Sequence, residues 1–183
     1  MNALKKAWIV MSALTLTLVL AQASQAQAIN SNQATVNLNA VLAESLTVSA
    51  SPATVNFTLA ASGTSNGSAP VAITTTWALG KTRTSVKVYA YFTGTTALSD
   101  GAGDIIPTSS VLGSINSGAY APFTGGAATF NVNSLLVLSQ TIGAAGTFNS
   151  SHSDNVALQI NTTGLALPAA TYTGTLNVQA QAL

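Results

Sequence analysis

The one histidine of the chain, His152, stands in the run Ser151-His152-Ser153-Asp154, where hydrolytic chemistry would first be sought. A nucleophile, a base and an acid must converge on one point, normally from separated segments. Adjacent residues of an extended chain project to opposite faces, so Ser151 and His152 diverge. The run reads as part of a solvated polar loop over residues 149–155. Gly63-Thr64-Ser65-Asn66-Gly67 matches G-x-S-x-G. That motif activates its serine on a strained turn between a strand and a helix. Here a proline and an alternating apolar run follow, so a glycine-rich hairpin connection is expected. Asp100 and Asp104 bracket a glycine-rich loop, but calcium asks for about six to eight oxygens; a plain turn is the expectation. With a single histidine and no cysteine, imidazole and thiolate metal sites are not expected. No catalytic residue, metal ligand or cofactor is assigned, and the chain is not read as an enzyme.

A stretch with binding chemistry is KTRTSVKVYAYF, residues 81–92. On a strand, Arg83, Lys87, Tyr89 and Tyr91 share a face with Lys81 and Ser85, while Val86, Val88, Ala90 and Phe92 take the other. Cations beside tyrosines suit stacking on sugar rings or gripping an acidic partner. The competing use is solubility, since charged strand residues discourage edge-to-edge pairing. A secreted carbohydrate- or ligand-binding module is therefore the alternative functional reading.

The elements that must position these residues begin after a segment with the organisation of a secretory leader. Lys5 and Lys6 precede an uncharged apolar run, and LAQASQAQA offers cleavage after Ala23 or Ala28. The run is ~15 residues against the ~20 of a spanning helix, so removal of residues 1–28 is expected, leaving no membrane span. Residues 29–183 then form one domain that is secreted, periplasmic or at the cell surface. Its three cations and four carboxylates leave a net charge of −1, which does not support nucleic-acid binding. Thr, Ser, Asn and Gln take the place of charges on the surface.

The dominant pattern is alternation with period two. It places Ala34, Val36, Leu38 and Ala40 on one face, and repeats in residues 46–50, 55–59, 71–79, 86–92, 156–160 and 172–182. Residues 134–142 are nearly continuously apolar and are expected as a central strand buried on both faces. A short strand is expected around residues 105–112. Turn signals separate these runs at 51–52, 63–68, 99–104, 124–126 and 149–155. The expected fold is all-β, an antiparallel immunoglobulin-like sandwich.

Two ends of the mature chain resemble secreted pilin-like subunits of the chaperone–usher and spore-coat-U type. One is the alternating segment after the leader, residues 34–50; the other is the terminal run LPAATYTGTLNVQAQAL. The resemblance implies a sandwich lacking a strand, with its groove filled by a neighbour's N-terminal extension. Residues 29–43 are then either such a donor, presenting Ala34, Val36, Leu38 and Ala40 to copies of the chain or related subunits, or the first strand of their own domain. The expected function is an exported structural protein, a surface-filament or envelope subunit.

Overall fold

The computed structural model describes residues 29–127 and 131–183; the leader expected over residues 1–28 lies outside them. The chain divides into two units, Met1–Ala40 and Val41–Leu183. In the first, residues 29–40 carry no secondary structure and are exposed.

The second unit holds twelve described strands: β1 (Ser45–Ser51), β2 (Thr64–Asn66), β3 (Val71–Ala78), β4 (Ser85–Tyr91), β5 (Thr96–Ser99), β6 (Ile105–Pro107), β7 (Val111–Ile115), β8 (Ala121–Pro122), β9 (Gly125–Ala127), β10 (Asn131–Thr141), β11 (Asn149–Asn161) and β12 (Asn177–Ala182). One sheet runs β1-β3-β11-β7-β8, with β2 also paired to β11. A second runs β12-β4-β10-β9, and β5-β6 form a small third. The pairings are antiparallel. The fold is an all-β antiparallel sandwich. Among the described residues no helix is long and apolar enough to cross a membrane.

Alternation in the sequence becomes alternation in burial. In β3, Val71, Ile73, Thr75 and Trp77 are buried and the residues between them are not; in β4 the buried set is Val86, Val88 and Ala90. They meet Val156, Leu158 and Ile160 of β11 and Leu135 and Leu138 of β10 in one core. Trp77 hides its ring and donates its indole N–H to the Thr147 carbonyl at 2.9 Å. Phe92 and Phe123 close the core edge to face, 5.1 Å apart.

Several expectations change. The apolar run at 134–142 is not buried on both faces. A bulge after Leu136 shifts the register from Leu136↔Tyr89 to Leu138↔Val88. The extra residue, Val137, turns inward with Leu138 while Leu136 stays 43% exposed. One strand thus buries consecutive apolar residues on a single face. The polar run 149–155 is not a loop but the first half of β11, paired with β3. Its outward Ser151 and Ser153 are solvated, and inward Asp154 is buried because Asn116 donates to it at 2.8 Å. Residues 64–66, expected in a hairpin connection, form β2. The strand expected at 105–112 divides into β6, a 3-10 turn (Thr108–Ser110) and β7. Residues 34–40 form no strand, so they are not the first strand of the domain as folded here.

Candidate functional site

The serine motif and the acidic loop serve the backbone. Ser65 is buried, and its Oγ accepts the Ala60 N–H at 3.1 Å. Asp100 Oδ1 accepts three backbone N–H groups, from Ala102, Gly103 and Asp104, at 2.8–3.1 Å. Among the described residues no group of three or more His, Cys, Asp or Glu is placed to hold a metal ion. His152 Nε2 lies 3.3 Å from Asp154 Oδ1, while Ser151 falls on the opposite face of β11.

The tyrosine face is assembled in part. Lys87, Tyr89 and Tyr91 lie half-buried along the outer side of β4. Arg83 does not join them. It sits in the turn before β4, its N–H bonded to the Gly80 carbonyl at 3.1 Å, and its guanidinium pairs with Glu44 at 3.0 Å. The Arg83 hydrogen bond, with the Gly80 N–H, holds the Glu44 carboxyl below its ordinary range, and Glu44 in turn raises Arg83. Alternation predicted the shared face; the turn ends it two residues too early.

The larger feature is a groove that the sequence reading did not name. Residues 54–60 run extended, with Val55, Phe57 and Leu59 half-buried and the residues between them exposed. One edge of this segment is fixed: Ser68 N–H donates to the Asn56 carbonyl at 2.8 Å, and Thr162 Oγ1 donates to the Ala60 carbonyl at 2.9 Å. The opposite rim is residues 167–174. There Thr173 and Ser99 exchange backbone bonds of 2.9 Å, and the Tyr172 hydroxyl donates to the Pro168 carbonyl at 3.1 Å. Desolvation, then the charges of Asp104 and Asp100, raise the Tyr172 pKa, keeping the phenol protonated as a donor. Gly174 has no room for a Cβ, which would run into the Ala97 carbonyl.

Between the rims lies a cavity of about 640 Å³, floored by Leu98 and Ile160. It continues into a second of about 320 Å³ that reaches Val71, Phe92, Val111 and Leu158 of the core. Among the described residues no strand lies in it. The sequence carried half the signal: residues 55–59 alternate like any strand, but alternation does not say whether a strand has a neighbour on both edges.

Ala34, Val36, Leu38 and Ala40 all lie outside any strand and exposed, Val36 at 80% and Leu38 at 93%. Val41 and Leu42 are exposed as well, at 87% and 81%. No family model matches the chain, and no curated protein matches it. The class defined by the fold and the site is therefore an all-β sandwich with an apolar groove along one seam.

Proposed function

We propose that this is an exported structural subunit of a surface filament or envelope layer, of pilin-like, immunoglobulin-like type, and that copies join by strand addition. The observation that carries the reading is the groove between residues 54–60 and 167–174, which opens onto the core. An extended guest strand there gains backbone bonds along a rim and buries every second side chain, the physics of β-augmentation. The occupant is residues 34–40 of a second copy. That stretch has the seven-residue length of the 54–60 rim, about 20 Å at ~3.3 Å per residue, and alternates on one face as the groove requires. Its exposed Val36 and Leu38 give the driving force, roughly 1.5–3 kcal/mol for each such side chain fully buried.

The test uses the secreted chain with Val36→Asp and Leu38→Asp together, compared with the unaltered chain. Negative-stain microscopy and size-exclusion chromatography should show fibres or a ladder of oligomers for the unaltered chain and monomers for the variant. Monomers in both samples across a wide concentration range would overturn the proposal.

A further inference from the structure

The outer face of the four-stranded sheet is a separate surface with its own chemistry. Register places Gln179 beside Tyr89, Asn177 beside Tyr91 and Gln181 beside Lys87 on β12. On the other flank β10 sets Leu136 beside Tyr89. The Tyr91 hydroxyl donates to Gln179 Oε1 at 3.1 Å, which fixes that amide by its oxygen and leaves its nitrogen as the donor end. Tyr89 and Tyr91 stand two residues apart on one strand, about 7 Å, a spacing suited to consecutive rings of a chain. Strands β4, β9, β10 and β12 contain one charged side chain between them, Lys87.

We infer that this face is a binding site for a pyranose polysaccharide bearing carboxylates. Tyr89 and Tyr91 stack on the sugar rings, Gln179 and Asn177 bond their hydroxyls, and Lys87 takes the carboxylate. Aromatic rings offer an apolar platform and a polar tip, amides both donate and accept, and these are the groups a sugar ring matches with its C–H face and its hydroxyl rim. One cation on a sheet without acids selects an anionic sugar over a neutral one. It is too little charge for a phosphate polymer, which is held by many phosphate contacts. The inference does not rest on strand addition, because none of these residues lines the groove.

The experiment is isothermal titration of the full secreted chain with oligogalacturonate and with a cello-oligosaccharide of equal length. The acidic chain should bind more tightly, and Lys87→Gln should remove that preference. Tyr89→Ala and Tyr91→Ala should each weaken binding about three- to tenfold, with thermal melts reporting whether the variants fold. Tyr89→Phe, which keeps the ring, should bind within about twofold of the unaltered chain and tests the platform if an alanine variant fails to fold. Absence of binding by the folded chain, equal affinity for both sugars, or binding indifferent to the tyrosine and lysine substitutions would each overturn the inference.

Discussion

Glu44 and Arg83 illustrate how sparingly this surface uses charge. Their side chains are 40% and 41% exposed, so water and salt screen the pair and its contribution is small. The useful part is positional: Glu44 Oε1 also accepts the Gly80 N–H at 2.6 Å, linking the residue before β1 to the turn before β4. The sign of its pH dependence follows from the lowered Glu44 pKa. The native state holds that proton less tightly than the unfolded chain does, so the contribution is complete above the unfolded value and fades as pH falls through the lower folded value. Arg83→Ala should therefore lower Tm by at most ~a few °C at neutral pH and low salt. The difference from the unaltered chain should vanish in acid and shrink in concentrated salt. A gap that persists undiminished at low pH would show that Arg83 acts through packing instead. Arg83 also marks how far residue-level reading reached. Alternation correctly grouped Lys87, Tyr89 and Tyr91, but a pairing with Glu44, 39 positions earlier, leaves no trace in local spacing.

Among the elements, β1, β3, β4, the second half of β11 and β12 were legible because each presents one apolar face to a single core. Three failures have distinct physical origins. The bulge in β10 was invisible because an added residue reads as a longer apolar run. The first half of β11 was hidden because its inward positions are His152 and Asp154, a buried carboxylate made tolerable by Asn116, a partner from another strand. Residues 34–40 have the pattern of a strand and no ladder, since pattern records what a segment can pair with and not whether the partner lies in the same chain. The groove rim is the most constrained element. Gly174 passes so close to Ala97 that any side chain must push the backbone away from β5. Gly174→Ala should cost about 1–3 kcal/mol, measured by urea denaturation of the chain with the Val36→Asp and Leu38→Asp substitutions, so that assembly does not confuse the reading. A loss below a few tenths of a kcal/mol would mean the rim shifts freely. The same approach predicts that Gly94, with nothing near its absent Cβ, tolerates alanine far better, and the contrast between the two glycines is the control.

On the scale of the whole molecule, a sandwich with so little charge keeps itself dispersed through hydroxyl and amide side chains, while its core is open along one seam. Such a domain lacks the stability that one more strand would supply, and a guest binding only the folded state should return it by mass action. The receptor is the monomeric Val36→Asp, Leu38→Asp chain, whose own tail is disabled. The guest is a synthetic peptide of residues 33–43. At about one hundred times its Kd such a ligand adds about 2.7 kcal/mol, which in a domain of this size corresponds to a Tm rise of roughly 5–10 °C. A peptide carrying the same two aspartates should leave Tm unchanged, because it removes the two side chains that drive insertion. Narrowing the groove floor with Ile160→Phe should blunt the rise even for the unaltered peptide, whereas Tyr89→Ala, on the outer sheet face, should not. If saturating peptide produces no shift in a folded receptor, the cavity is not an acceptor for this segment, and the apolar alternation of residues 34–40 must serve another surface.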